Sequence, residues 1–296
     1  MRSFLYGILI SFSLVGCNEE EEKVKFNISH VNSEHNIFCV TFSSHADEVY
    51  FTRAEGVWGK EQLNSSIFYS KRVNNNWTIP KKVGFSEGFK ISSPHLTADG
   101  KRLYYVSFQP IENDSSSNIW YVERSSLKDD WGIPQALDFK INSAYSEYSP
   151  KTTSNGDLYF ASSRPGGFGQ GDLYVSKNNN GEFSKPINLG SIVNSEKGEW
   201  NLELNPNGDV LIFEASQRPD NKSSFGDLYI SFKRNEIWDK PINIEEINTT
   251  GSDLYATILG DNLYYSSSDS LTGPRTILKV TSFRAILEKY RSISEY

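Results

Sequence analysis

The stretch SSRPGGFGQGDLYVS, residues 162–176, recurs further along the chain as SQRPDNKSSFGDLYIS, residues 216–231. The glycines of the first copy suggest a phosphate-binding loop, but such a loop needs a following helix to offer free backbone N–H groups. The residues that follow here, Asp-Leu-Tyr-Val, favour a strand. The second copy also lacks most of the glycines. The stretch therefore predicts a strand-to-strand connection inside a repeated unit, and not a nucleotide site.

Two further markers repeat at intervals of 52–55 residues. An aromatic strand end recurs five times, at Phe51, Tyr105, Phe160, Phe213 and Tyr265. A run of the type Trp-x-x-Pro recurs four times, beginning at Trp77, Trp131, Phe183 and Trp238. Asp-Gly and Asn-Gly pairs predict tight hairpins between the first two strands of a unit. Five units of four strands, with no room for crossover helices, predict an all-β, five-bladed β-propeller.

A short polar tail follows most fourth strands, for example Ile141-Asn142-Ser143, and it recurs near the N-terminus as Val31-Asn32-Ser33. The last unit lacks a clear fourth strand. We therefore expect a strand near residues 25–29 to complete the fifth blade and close the ring, which leaves no open sheet edge. Residues 25–283 form the propeller in this interpretation, and the tail 284–296 begins with a short helix packed outside it.

The N-terminus has the layout of a secretory signal, with Arg2 followed by an apolar run that is too short to span a bilayer comfortably. Leu14-Val15-Gly16-Cys17 resembles a bacterial lipobox, which implies cleavage after residue 16 and lipid attachment at Cys17. An acidic tether, residues 17–24, follows. This resemblance predicts an outer-membrane lipoprotein, periplasmic or surface-exposed, that meets the membrane through its lipid. The alternative is an ordinary signal peptide with a chance cysteine.

The formal charge of −7 comes from 37 acidic and 30 basic residues. Nucleic-acid binding depends on a basic face, so this balance argues against a general nucleic-acid binder. The four histidines have no metal-ligand spacing, and no nucleophile motif occurs. We expect no cofactor and no metal site, with calcium the one cation considered.

The repeats resemble the TolB-type, WD-like propeller repeat of bacterial envelope proteins. The segments that carry the resemblance are SPHLTADGKRLYYVS (residues 93–107), YSPKTTSNGDLYFASSRPGGFGQGDLYVS (148–176) and NLELNPNGDVLIFEAS (201–216). The similarity extends over about residues 27–280. It implies the fold and an envelope location. It implies no activity, because the fold hosts unrelated functions.

Three acidic residues recur at the start of the innermost strands, at Glu147, Glu199 and Asp253. Grouped at one mouth of the channel, they are candidate catalytic residues, acting as acid and base in glycoside cleavage or holding calcium. The alternative is turn capping or hydrogen bonding between blades. Recurrence favours this alternative, because a catalytic pair is usually asymmetric.

Arg164 and Arg218 occupy equivalent loop positions and are candidate ligand-binding residues for a carboxylate or phosphate. The alternative is that they brace Asp172 and Asp227 and thereby fix the loops. Trp58, Trp120 and Trp200 depart from the repeat and are candidate ligand contacts, whereas the repeated tryptophans are expected to pack between blades.

Taken together, the sequence favours a lipid-anchored envelope propeller that binds an envelope protein or a glycan without catalysis. Enzymatic activity stays open, with the balance against it. The alternative function is a carbohydrate-active hydrolase or lyase that uses the acids at the channel mouth. The two are separable, because a scaffold would hold these acids in backbone hydrogen bonds and an enzyme would expose them to a pocket.

Overall fold

The computed structural model describes residues 30–32, 35–56, 64–85, 87–111, 116–268 and 277–294. The predicted signal peptide, the tether with Cys17, the strand near residues 25–29 and Trp58 lie outside these residues. The described chain forms five antiparallel blade sheets, one per repeat, a separate two-stranded hairpin in the third repeat, and one C-terminal helix. The predicted all-β, five-bladed propeller is confirmed.

The strands follow the repeat from blade to blade. Blade 1 contains β1 (Asn36–Phe42), β2 (Glu48–Glu55), β3 (Asn64–Val73), β4 (Asn76–Trp77) and β5 (Lys81–Lys82). Blade 2 contains β6 (Ile91–Leu96), β7 (Arg102–Ser107), β8 (Asn118–Glu123) and β9 (Gln135–Ala136). Blade 3 contains β10 (Glu147–Thr152), β11 (Leu158–Ser162), β12 (Asp172–Ser176), β13 (Asn178–Asn179), β14 (Glu182–Phe183) and β15 (Ile187–Asn188).

The remaining two blades complete the ring. Blade 4 contains β16 (Gly198–Leu204), β17 (Val210–Ser216), β18 (Asp227–Arg234), β19 (Ile237–Trp238) and β20 (Ile242–Asn243). Blade 5 contains β21 (Ser252–Leu259), β22 (Asn262–Ser268) and β23 (Ile277–Ser282). The first strands of neighbouring blades contact one another all the way round, including β21 with β1. These five strands therefore surround the axis of a closed ring.

An asparagine side chain ties each polar tail to the third strand of the preceding blade. Asn142 accepts a hydrogen bond from the backbone N–H of Ile119 and donates one to the carbonyl of the same residue. Asn194 does the same with Leu173, and Asn248 with Leu228. Asn32 makes this pair of bonds with Leu278 of blade 5, at 2.9 and 3.1 Å. This asparagine clasp closes the ring between the N-terminal segment and the last blade.

The core consists of apolar layers between blades, and the repeated tryptophans belong to it as expected. Trp131 of blade 2 donates a hydrogen bond from Nε1 to the hydroxyl of Tyr50 in blade 1, at 3.2 Å. Trp238 of blade 4 packs in the same cluster as Tyr159 of blade 3. The tryptophans therefore fasten neighbouring blades together.

The innermost strands share a backbone irregularity. Each contains a β-bulge at which the register with the second strand shifts. The residues at the bulges have positive φ angles between 29° and 55°: Cys39, Ser93, Ser149, Asn201 and Tyr255. A residue without glycine's freedom is uncommon in this conformation and is often found near functional sites. We call these five residues the axial ring.

The C-terminal helix α1 (Phe283–Ser294) packs against blades 4 and 5 through Phe283, Ile286 and Tyr290. The backbone N–H of Glu245 donates a hydrogen bond to the hydroxyl of Tyr290, at 3.0 Å. The predicted short helix outside the ring is confirmed.

Candidate functional site

The axial ring lines a small cavity where the five blades meet. Its volume is about 10 Å³, which is about the space that one water molecule needs. Ser149 donates a hydrogen bond from Oγ to Oδ1 of Asn201, at 2.5 Å. Burial raises the pKa of the Cys39 thiol to about 12, so this side chain is a neutral thiol in the ring. A sugar does not fit into this cavity, so a glycan would have to bind outside it.

Glu214 of β17 lies beside the axial ring. Asn201 donates a hydrogen bond from Nδ2 to Oε2 of Glu214, at 2.5 Å. Burial raises the pKa of the Glu214 carboxyl to about 8, although the Asn201 hydrogen bond acts in the opposite direction. The carboxyl is therefore mainly protonated at neutral pH. Because Oε2 accepts the amide N–H, the proton is placed on Oε1, which has no hydrogen-bond partner among the described residues.

A pocket of about 310 Å³ lies between blades 3 and 4, and Glu214 is not one of the residues that line it. We call it the mouth pocket; it is lined by Trp200 and Phe225 together with Gln170, Lys197, Ser216 and Gln217. Trp200 is the register partner of Glu214 across β16 and β17. Gly226, which follows Phe225, leaves the space for the acid, because a Cβ there would lie 2.7 Å from Oε1. The aromatic rings, amides and hydroxyls that line the mouth pocket suit a sugar ligand.

Of the two described tryptophans that the sequence offers as ligand contacts, Trp200 lies at the mouth pocket and Trp120 does not. Trp200 lines the mouth pocket and makes an edge-to-face contact with Tyr148, with ring centroids 5.5 Å apart. Gly171 lies so close that a Cβ there would be 2.3 Å from the indole ring. Trp120, in contrast, is buried in the core between blades 1 and 2.

The three predicted catalytic acids are fully buried and held locally. Oε1 of Glu147 accepts hydrogen bonds from the hydroxyls of Ser143 and Ser162, at 2.6 and 2.9 Å. Its Oε2 accepts the backbone N–H of Ser143, at 3.0 Å. Burial raises the pKa of Glu147, while these bonds act against the increase. Glu147 therefore caps the polar tail that precedes β10.

The other two acids repeat this pattern four residues after a serine or threonine. Glu199 accepts hydrogen bonds from the backbone N–H and hydroxyl of Ser195, at 2.7 and 2.6 Å. Asp253 accepts the corresponding bonds from Thr249, at 2.6 and 2.8 Å. Burial raises the pKa of Asp253 as well. Repeated capping accounts for the recurrence of these acids, which is the alternative that the sequence favoured.

Arg164 and Arg218 pair with two of these acids, Glu147 and Glu199, and not with the aspartates that the sequence suggested. Arg164 Nη2 lies 3.1 Å from Oε1 of Glu147, and Arg218 Nη2 lies 2.8 Å from Oε1 of Glu199. Each guanidinium also lies over two aromatic rings of its own blade. The contacts of Arg164 and Arg218 are thus largely structural.

The two aspartates stabilise the loops directly. Asp172 accepts the backbone N–H groups of Phe168 and Gly169, at 2.6 and 3.0 Å. Asp227 accepts those of Lys222 and Ser223, at 2.7 and 3.1 Å. The arginines and aspartates therefore fix the same loops through separate contacts.

A search of the described residues finds no group of three or more histidine, cysteine, aspartate or glutamate residues that could hold a metal ion. No described helix combines the length and apolar character that crossing a membrane requires.

Comparison with solved structures finds the same propeller in carbohydrate-active enzymes. An α-L-arabinofuranosidase from Lactobacillus brevis is 15% identical, with 83% of this chain and 91% of that chain covered and a TM-score of 0.51. A GH43 endo-arabinanase from Bacillus licheniformis is 10% identical, with 83% and 94% covered and a TM-score of 0.50. The α-L-arabinofuranosidase of Podospora anserina, solved with cellotriose, is 12% identical, with 83% and 90% covered and a TM-score of 0.50.

No known family and no curated protein matches the sequence. At 10–15% identity the structural likeness establishes the fold. These three structures are glycoside hydrolases and not TolB-type proteins, so the TolB resemblance is supported only as far as the propeller. The expectation of a non-catalytic binding or interaction module is corrected on the same finding, which favours the carbohydrate-active alternative.

Proposed function

We propose that this chain is a carbohydrate-active enzyme that cleaves a glycosidic bond in the mouth pocket, with Glu214 as the proton donor. The observation that carries the proposal is the carboxyl of Glu214, whose pKa is raised to about 8 and whose cross-strand neighbour Trp200 lines the mouth pocket together with Phe225. A general acid for glycoside cleavage must carry its proton at the working pH. Burial supplies that condition here.

The hydrogen bond from Asn201 supports the same role. It engages Oε2 and so leaves Oε1 as the oxygen that donates a proton to the leaving group. The aromatic rings of Trp200 and Phe225 offer apolar faces for the C–H groups of a sugar, and Gln170 and Gln217 offer amides for its hydroxyls. None of the described lining residues carries a carboxyl, and Glu214 adjoins the pocket only through its cross-strand neighbour Trp200, so the proposal concerns the proton donor alone.

Arabinofuranosides and arabinan are the first substrates to examine, because enzymes acting on them share the fold. The predicted lipid anchor at Cys17 and an outer-membrane location, periplasmic or surface-exposed, are retained as part of the proposal on the strength of the N-terminal sequence alone. An anchored enzyme of this kind would meet glycans of the cell envelope or its surroundings.

The test is turnover of aryl α-L-arabinofuranoside, other aryl glycosides and arabinan by the wild-type chain, by Glu214→Gln and by Glu196→Gln. Glu196 is an exposed acid on the same side of blade 4 and serves as the control. We expect Glu214→Gln to lose on the order of 100-fold or more in kcat, in the range of general acid catalysis, and Glu196→Gln to keep wild-type turnover. Full activity of Glu214→Gln, or no turnover of any glycoside by the wild type, would overturn the proposal.

A further inference from the structure

A second pocket, of about 530 Å³, lies between blades 1 and 2, on the outer part of the ring. We call it the inter-blade pocket. Its walls include the aromatic side chains of Tyr69, Phe85 and Trp131 and the acidic side chains of Asp129 and Asp130. None of these residues lines the mouth pocket or belongs to the axial ring. The two pockets are therefore separate sites.

The inter-blade pocket occurs where blade 2 departs from the repeat. In blades 1, 3 and 4 the chain after the third strand forms a short hairpin that includes β4, β14 or β19. In blade 2 the corresponding residues, 124–134, form no strand, and they carry Asp129, Asp130 and Trp131. A local departure from a repeated pattern is often where function resides.

The aromatic walls are only partly used by the core. Tyr69, Phe85 and Trp131 are all half-buried. Tyr69 stacks on Tyr50 with ring centroids 5.9 Å apart, so its packing on that side is complete. The remaining aromatic surface faces the pocket and offers apolar area to the C–H face of a sugar ring.

A buried arginine holds this wall rigid. Arg124 donates hydrogen bonds from Nη2 to Oε2 of Glu48, at 2.7 Å, and from Nε to the carbonyl of Gly100, at 2.8 Å. Its guanidinium also lies 4.5 Å from the ring centroid of Trp131. The pocket is thus formed before any ligand arrives, which lowers the entropic cost of binding.

The carboxylates of Asp129 and Asp130 at the rim of the inter-blade pocket are available to a ligand. Asp129 and Asp130 are exposed, and their carboxylates make no hydrogen bond to any described residue. The two cationic residues that line the pocket, Lys71 and Arg124, both pair with Glu48, and Nζ of Lys71 lies 2.8 Å from its Oε1. Two free carboxylates accept hydrogen bonds from hydroxyl groups and repel anions. Aromatic walls with carboxylate acceptors fit a neutral oligosaccharide.

We propose that the inter-blade pocket is a glycan-binding site for neutral oligosaccharides, distinct from the mouth pocket. Its role is to hold a second stretch of a polysaccharide on the protein. The site does not depend on turnover, so it stands or falls separately from the catalytic role of Glu214.

The experiment uses the full chain labelled with 5-fluorotryptophan, in the Glu214→Gln background so that no ligand is consumed. Xylohexaose, arabino-oligosaccharide and oligogalacturonate are titrated to millimolar concentration and followed by fluorine NMR. The Trp131 signal, assigned by its loss in Trp131→Phe, reports the inter-blade pocket, and the Trp200 signal reports the mouth pocket. We expect a neutral oligosaccharide to shift the Trp131 signal in a saturable manner and oligogalacturonate to bind at least several-fold more weakly.

Asp129→Asn combined with Asp130→Asn should weaken the saturable binding reported by the Trp131 signal about tenfold, as expected for loss of roughly 1.4 kcal/mol of binding free energy. The same double substitution made with Glu214 intact should leave turnover of a small aryl glycoside unchanged. The matched control is Glu236→Gln, in the corresponding hairpin of blade 4. If no neutral oligosaccharide shifts the Trp131 signal, or if the double variant binds like the control, the inter-blade site is wrong. A shift of the Trp200 signal alone would support glycan binding at the mouth pocket and overturn the inter-blade site.

Discussion

Asn201 holds the carboxyl of Glu214 by a hydrogen bond of 2.5 Å from Nδ2 to Oε2. Asn201 is itself in the left-handed conformation, with φ of 29°, at the bulge of β16. Asparagine tolerates this conformation better than most residues. The bulge therefore turns an amide from the innermost strand toward an acid on the second strand, whose cross-strand neighbour Trp200 lines the mouth pocket.

The raised pKa of Glu214 makes the stability of the fold depend on pH. In the folded protein the pKa is about 8, above the ordinary value of 4.5, so between these values the folded state holds a proton that the unfolded state has released. The free energy of unfolding therefore falls as the pH rises through this window. Glu214→Gln stays neutral and should be more stable than the wild type at pH 8, by on the order of a few kcal/mol.

Thermal unfolding of both proteins from pH 5 to pH 9 measures this difference. Burial also raises the pKa values of Glu147 and Asp253, so the stability of Glu214→Gln should still fall with rising pH, but less steeply. The wild type and a surface control, Glu236→Gln, should share the steeper dependence. Equal slopes in Glu214→Gln and the control would contradict the assignment of a buried, protonated Glu214.

The loss of activity in Glu214→Gln should depend on the leaving group. A proton donor matters most when the departing oxygen is strongly basic, because it then cannot leave as an anion. We expect a decrease of about 10²- to 10⁴-fold in kcat for a natural disaccharide bond and a much smaller one for a dinitrophenyl glycoside. Rates for a series of aryl glycosides measure this. A decrease that is the same for every leaving group would argue for a structural effect instead.

Gly171→Ala should displace Trp200 from the mouth pocket. A Cβ at residue 171 would lie 2.3 Å from the indole ring, closer than such atoms approach one another. We expect KM for a small aryl glycoside to rise several-fold, because the aromatic wall moves. The control is Gly84→Ala, where a Cβ meets no atom within 4 Å; a small substrate is used because Gly84 lines the inter-blade pocket. Steady-state kinetics of both variants, together with circular dichroism of the aromatic residues, distinguishes displacement of Trp200 from unfolding of the protein. An unchanged KM in Gly171→Ala would count against Trp200 as a sugar contact.

Glu199→Gln should destabilise the propeller, because it leaves the guanidinium of Arg218 largely buried without its carboxylate. The pair is 2.8 Å apart, and the side chain of Glu199 is fully buried. Breaking one partner of a buried ion pair costs about 3–5 kcal/mol. The exposed pair between Arg284 and Asp261 is the comparison, and Asp261→Asn should cost less than about 1 kcal/mol. Urea unfolding of the two variants measures both free-energy changes. Similar decreases in the free energy of unfolding would show that the buried pair stabilises the fold no more than the exposed one.

Asn32→Ala removes the clasp that joins the N-terminal segment to blade 5. Two hydrogen bonds to Leu278 are lost, and the backbone groups of that residue are left without these partners, at a cost of about 1–3 kcal/mol. Asn142→Ala removes the same two bonds inside the ring and is the matched control. We expect hydrogen exchange in β23 to accelerate only in Asn32→Ala. Exchange that accelerates equally in both variants would mean that the N-terminal clasp does not govern blade 5.

The repeat made the fold readable, since strand periodicity, hairpin glycines and the asparagine tails are local signals that survive in every unit. The pairing of Arg164 with Glu147 was less accessible, because the two residues lie 17 positions apart and meet only when the loop folds back. Recurrence of the acids did point to capping. What the sequence lacked was the identity of each partner.

Glu214 was missed, although a signal for it existed. The positions that correspond to it in the other units are Thr52, Val106, Ala161 and Ser266, all small or uncharged. An acid at this one position breaks the repeat inside a strand, where a charge is costly to bury. Its raised pKa depends on burial by several blades at once, and such an environment has no local sequence pattern.

The clasp between Asn32 and Leu278 joins atoms of residues 246 positions apart. This bond therefore closes a loop that contains most of the chain, and the other four blades can assemble while the ring is still open. Contacts of such long range form late and slowly. The N-terminal segment must stay free of wrong partners until the fifth blade has formed. The protein is therefore most exposed to misassembly in the interval before its two ends meet.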